Sequence, residues 1–131
     1  MPKFELEKIH AIIGKQIFYK LLTDGICEFD EFVLQIKSEG NFDKEIKKVY
    51  ALMQQVSELK TLPQEKFKEL KYSKSDGKEY EIKTKHLRVY LFHQENTGKI
   101  IVIGGKKTTQ DQDIAHFRET KKMYFEALKT K

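Results

Sequence analysis

The chain has 131 residues, of which 39% are hydrophobic and 34% charged, with nine Phe, six Tyr and only two Pro. That length suits one domain, residues 1–131, and that balance excludes a disordered chain. No apolar run reaches the length of a membrane-spanning helix, and charge throughout MPKFELEKIH leaves no signal peptide, so no membrane partner and a cytoplasmic location are expected. The single cysteine, Cys27, excludes an internal disulfide and fits a reducing compartment, where a buried small hydrophobe is its expected role. The net charge of +5 is uneven: residues 1–59 hold eight Lys/Arg against ten Asp/Glu, residues 60–131 seventeen against ten. A basic C-terminal half points to a polyanion, nucleic acid first.

In chain order, residues 4–15 read two ways. FELE alternates like a strand, while Phe4, Ile9, Ile12 and Ile13 could line a helix. QIFYKLL, residues 16–22, reads as a strand, and Asp24-Gly25 as a turn. In CEFDEFVLQIKSEG, Phe29, Phe32, Val33 and Ile36 fall at i, i+3, i+4 and i+7, which predicts a helix stopped by Gly40. Asn41 is placed to cap a second helix, FDKEIKKVYALMQQVSEL, with Phe42, Ile46, Val49, Met53, Val56 and Leu59 on its apolar face. Together they predict a helical hairpin that must cover something apolar.

Past Pro63 comes a basic, polar stretch closed by a Ser-Asp-Gly turn at residues 75–77. KEYEIKTK then alternates, with Tyr80, Ile82 and Thr84 on one face and Glu81, Lys83 and Lys85 on the other. LRVYLFH sets Leu87, Val89 and Leu91 against Arg88, Tyr90 and Phe92; QENTGK reads as a hairpin loop using Gly98; KIIVIGG completes a three-stranded meander. Thr109 and Gln112 form a capping box for a last helix of about residues 110–128, burying Ile114, Phe117, Tyr124, Phe125 and Leu128. The predicted class is α+β: a helical hairpin packed on a small, mainly antiparallel sheet, with a C-terminal helix.

The chemistry narrows quickly. His10, His86, His93 and His116 share no ligand spacing, so no metal is expected. GGKKTT lacks the four-residue spacer of a Walker loop, GxGxxG and GxSxG are missing, and no cofactor is implied. What remains is a basic sheet end: Lys83 and Lys85 on one strand, Arg88 on the next, Lys106 and Lys107 closing the third. Like charges held across neighbouring strands repel, which favours a polyanionic ligand; the alternative is a solvated face with lysines guarding an edge. Metal-free RNA cleavage suits such a site, because the substrate supplies its own 2′-hydroxyl nucleophile. The protein then positions the strand, moves two protons and stabilises phosphate charge. Lys83, Lys85, Arg88 and Lys107 are the charge-stabilising residues, Tyr124, His86, His93 and Tyr90 proton-handling candidates, and Lys106, Lys71, Lys78 and Tyr90 further RNA contacts.

The stretches YEIKTKHLRVYLFHQ (80–94) and KIIVIGGKKTTQDQDI (99–114), followed by a helix running to KKMYFEAL, resemble the RelE/ParE superfamily of bacterial toxins, most closely its phage-derived HigB-like branch. The likeness spans roughly residues 16–128, with 1–15 as an N-terminal addition. It implies the toxin of a toxin–antitoxin pair, an endonuclease cutting mRNA on the ribosome, with a helix-turn-helix antitoxin encoded next door. The ParE branch implies instead a non-enzymatic gyrase inhibitor, and an inactive nucleic-acid-binding relative is the third reading. By the resemblance, Lys83 and Lys85 hold the basic strand positions and Arg88 the arginine that opens the following strand. Lys107 stands where RelE proteins carry an arginine, and Tyr124 matches a tyrosine late in the last helix. Glu81, Asp113 and Met123 depart from the family pattern: Glu81 replaces a basic residue, Asp113 the helix-start tyrosine, Met123 an acid.

Overall fold

A computed structural model describes residues 2–73 and 77–130. Ser75 and Asp76 of the expected Ser-Asp-Gly turn lie outside the described residues, while its Gly77 has a positive φ of 72°. The elements run β1 (Phe4–Lys8), β2 (Phe18–Thr23), α1 (Glu28–Glu39), α2 (Asp43–Ser57), β3 (Phe67–Glu69), β4 (Glu79–Lys83), β5 (Leu87–Gln94), β6 (Gly98–Lys106), a 3-10 turn (Lys107–Thr109) and α3 (Gln110–Lys129). The fold is α+β, as the sequence predicts, with one six-stranded sheet in the order β1-β2-β6-β5-β4-β3. All neighbours are antiparallel except β2 and β6, which run parallel.

The FELE ambiguity resolves as strand: β1 pairs with β2 along its whole length, from Phe4 opposite Thr23 to Lys8 opposite Tyr19. β3 is a further strand that its short, charged sequence hides. Helix α1 begins where the Cys27 sulfur accepts the Asp30 N–H at 3.4 Å, with Glu28, Asp30 and Glu31 in its positive first turn. Cys27 is buried, as expected, and burial pushes its thiol pKa up.

Helices cover both faces of the sheet. Phe29, Phe32, Val33 and Ile36 of α1 and Ile46, Val49, Leu52, Met53 and Val56 of α2 pack on Ile82, Leu87, Val89, Leu91 and Ile101. Phe117 and Tyr124 of α3 pack on Tyr90, Phe92, Ile100 and Val102 on the opposite face. Strand β5 is therefore buried from Leu87 to Phe92, on both its faces. Three details differ from the sequence reading. Leu59 lies past the end of α2 and is exposed, as is Leu128 at 37%. Helix α2 starts after Phe42 with no side-chain cap in place of Asn41. The Thr109 hydroxyl donates to the Asp113 carboxylate at 2.7 Å rather than capping a backbone N–H, so the expected capping box does not form.

The two glycines of VIGGKK serve packing. A register shift between Tyr90 and Leu91 lets β6 carry one extra residue, so Tyr90 faces Ile103 while Leu91 faces Ile101. Gly104 then turns to α1 and Gly105 to α3: a Cβ would lie 2.3 Å from the Phe32 ring at Gly104 and 1.9 Å from Asp113 Oδ2 at Gly105. Both helices approach the strand that closely only because no side chain intervenes. Gly104→Ala is expected to cost about 1–3 kcal/mol, read as a lower urea midpoint, because the Phe32 ring must leave its seat.

Candidate nucleic-acid interface

The turn between β4 and β5 gathers the basic residues at one end of the sheet. Lys83 pairs directly with Arg88 across the two strands, and Arg88 with Gly105 across the next. The Lys107 N–H donates to the His86 carbonyl at 2.8 Å. Lys83, Lys85, His86, Arg88 and Lys107 thus share one end, although the three strands that supply them are separate in sequence.

Their side chains divide. Lys83 and Lys85, with Lys48 of α2 and Lys66 just before β3, are among the residues around a groove of about 470 Å³ beside Ala51 and Leu52; Ile82 packs toward α2, so the Lys83 side chain leaves β4 on the opposite face. Glu65 is the one acidic residue on its wall, and none of the four lysines makes an ion pair among the described residues. Lys107 is exposed in the 3-10 turn after β6. His86 turns to α2 instead: its Nδ1 lies 2.7 Å from Glu45 Oε2 and its ring stacks on Phe42 at 4.5 Å. Burial works against the Glu45 charge, but hydrogen bonds from Thr84 and from the His86 backbone and ring hold its carboxyl below the usual carboxylate range. This carboxylate clamps the 84–86 turn onto α2 and so fixes where Lys83 and Lys85 emerge.

Arg88 is 6% exposed, and its guanidinium donates to the Thr84 and Leu87 carbonyls at 2.7 and 2.8 Å. Both bonds come from Nη1 and stiffen the turn, while Nε is buried and makes no hydrogen bond among the described residues. Lys106 reaches the other way, to Glu39 at 2.7 Å. Tyr90 is fully buried against Phe117, and burial raises its hydroxyl pKa well above the ordinary value, so it is closed to RNA in this state.

Tyr124 is not part of this group. Its hydroxyl donates to Gln94 at 2.6 Å, at the far end of β5. Six residues separate Gln94 from Arg88, about 20 Å along a strand. Lys71 and Lys78 also lie at that end: the Lys78 carbonyl accepts from His93, and Lys71 follows β3 beside the start of β4. The structure therefore brings together five of the six residues proposed for catalysis, leaves Tyr124 apart, and adds Lys48 and Lys66. The helical period of α2 puts Lys48 one turn before the buried Leu52, at the border of the core face, but only the tertiary fold shows that this border meets the 84–86 turn. Among the described residues, no group of three or more His, Cys, Asp and Glu is placed to hold a metal, and no helix is long and apolar enough to cross a membrane.

The far end has its own electrostatics. Lys99 is 6% exposed, 3.1 Å from His93 Nδ1 and above the Tyr80 ring at 5.2 Å, with no carboxylate at ion-pair distance among the described residues. Burial pushes its pKa from 10.5 down to about 8. Burial and the Lys99 charge also lower His93 from 6.5. Both groups bind protons more readily in the unfolded chain, so each makes stability rise with pH. The Lys99 contribution climbs between about pH 8 and 10.5, and the His93 contribution is lost as pH falls through 6.5. Lys99→Met is expected to melt higher than the native chain at pH 7 and to lack the climb above pH 8, as thermal melts from pH 6 to 10 will read.

No protein-family model, no curated protein and no solved structure matches this chain.

Proposed function

We propose that the chain is the toxin of a toxin–antitoxin pair that acts on mRNA at the ribosome, its lysine groove holding the RNA backbone. The observation that carries this reading is the gathering of Lys48, Lys66, Lys83 and Lys85 around one groove in which Glu65 is the one carboxylate among the described residues. The resemblance of residues 80–114 to RelE/ParE toxins supplies the biological setting and supports cleavage as the outcome. In that scheme Lys83, Lys85 and Lys107 hold and polarise the scissile phosphate, and the substrate's 2′-hydroxyl attacks it. A lysine supplies charge without the bidentate fork of the family arginine. Arg88 contributes by fixing the turn. His86 sits at the right end to move a proton, once released from Glu45, whereas Tyr124 lies too far away. A helix-turn-helix antitoxin is the expected partner, covering the lysine groove with acidic residues.

A second reading, RNA binding without cleavage, is favoured by one observation: the buried Arg88 donates from Nη1 to the turn, and the His86 ring is held by Glu45. Inducible expression in a bacterium separates the two. The cleaving toxin arrests growth and leaves new 5′ ends within translated messages. Growth arrest with intact mRNA sinks the endonuclease reading, and arrest with inhibited DNA supercoiling selects the gyrase alternative.

A further inference from the structure

Strand β6 has a partner on both sides for only part of its length. β2 pairs with it at Lys99–Ile101 and no further, because β2 then follows β1. On that side, residues 102–106 face no strand among the described residues. The alternation of an antiparallel ladder says which peptide groups are left open. Lys107 N–H bonds the His86 carbonyl, so Gly105 with Arg88 and Ile103 with Tyr90 are the pairs that exchange hydrogen bonds. Gly104 and Lys106 therefore turn their amides away from β5. Among the described residues neither amide finds a partner, whereas the Lys106 carbonyl opens the 3-10 turn and meets the Thr109 hydroxyl at 3.3 Å.

These open peptide groups form the floor of a cleft of about 520 Å³. Its walls are helices on opposite faces of the sheet: Glu28, Glu31 and Gln35 from α1, Thr109, Asp113 and His116 from α3. Helical walls exclude the edge of another sheet but leave room for one extended chain. The lining is acidic in a protein of net charge +5. Lys106, the one lysine there, is held by Glu39. Glu31 makes no ion pair among the described residues, and a 2.8 Å bridge from His116 to Glu28 crosses between the walls. The carboxylates repel a phosphate chain, so this cleft is no continuation of the lysine groove.

We propose that residues 102–106 of β6 are a strand-addition site for an extended, cationic peptide segment of a partner protein. The incoming chain bonds to the Gly104 peptide groups and the Lys106 N–H. Its alternate side chains point to the α1 and α3 walls, where lysine or arginine meets Glu31 and Glu28 on one side and Asp113 on the other. The inference stands on the open strand edge and the charge of the walls, independently of the RNA reading.

Amide exchange on the full chain tests it. In the free protein, protection factors at Gly104 and Lys106 are expected to fall at least about tenfold below those of Ile103 and Gly105, which bond to β5. A synthetic heptapeptide alternating lysine and valine is the probe. It is expected to protect Gly104 and Lys106, to lose that effect when every amide is N-methylated, and to bind Glu31→Lys about tenfold more weakly. Equal protection of all four amides in the free chain overturns the open edge. A probe that leaves Gly104 and Lys106 unprotected, or whose N-methylated form binds as well, overturns strand addition. Equal binding by a glutamate–valine heptapeptide overturns the cationic assignment.

Discussion

Reversing Lys83 and Lys85 together to glutamate is expected to weaken single-stranded RNA binding by about 10²–10³-fold near 0.1 M salt. Each cation that contacts a phosphate releases counterions, so its loss also flattens the dependence of log affinity on log salt by about 0.7. Reversal adds repulsion to that loss, because the groove already carries Glu65. Lys85 is exposed and Lys83 half-buried at the end of its strand, so both substitutions are expected to leave the melting temperature within a few degrees. The matched control is Lys71→Glu with Lys78→Glu at the far end of the sheet, which changes net charge equally and is expected to cost less than about fivefold. Equal losses from the two pairs would mean that RNA responds to net charge and not to the groove.

Glu79→Ala is expected to cost about 3–5 kcal/mol, the largest stability effect of any single change considered. Glu79 is 5% exposed at the start of β4 and takes two cations from α3, Arg118 at 2.8 Å and Lys121 at 3.1 Å. Removing the carboxylate strands Lys121, itself only 8% exposed, without a counter-charge. It also cuts one of the polar ties between α3 and the sheet, Tyr124–Gln94 and Gln110–Glu81 being others. A loss of that size lowers the melting temperature of a chain this long by roughly 10–20 °C. Glu79→Leu combined with Lys121→Met removes the two buried charges of the tie, leaving Arg118, whose side chain is 36% exposed, to solvent, and is expected to recover most of the loss. If Glu79→Ala melts within about 2 °C of the native chain, the network is solvated and contributes little.

Much of the fold was legible because its long elements repeat cleanly. The i, i+3, i+4 spacing from Phe29 to Ile36 and the alternation from Leu87 to Phe92 each allow one packing, and both elements form as read. What stayed hidden depends on partners distant in sequence. The apolar run Ile100–Ile103 conceals the extra residue in β6, since alternation carries no signal where every side chain is apolar. β3 has three residues, too few for a period, and exists through its pairing with β4.

The lysine end was legible in part for the same reason. Meander register follows from turn positions, so Lys83, Arg88 and Lys107 come together as expected. Whether a cation faces solvent depends on its neighbours: Arg88 finds two backbone carbonyls and Lys106 finds Glu39, which spacing does not reveal. Tyr124 shows the limit most clearly. Its helical position suits either end of the sheet, and only the docking of α3 sets its hydroxyl on Gln94.

The central claim is that RNA lies in the groove between α2 and the β4–β5 turn. Titrating a short single-stranded RNA into the isotope-labelled chain and following backbone amide shifts tests it directly. The account predicts saturable shifts at Lys48, Gln55, Lys66, Lys83, Lys85 and Lys107, with Lys71, Lys78, Gln94 and Tyr124 unmoved. Shifts centred on the Gln94 end, or no saturable change in the groove, would contradict it.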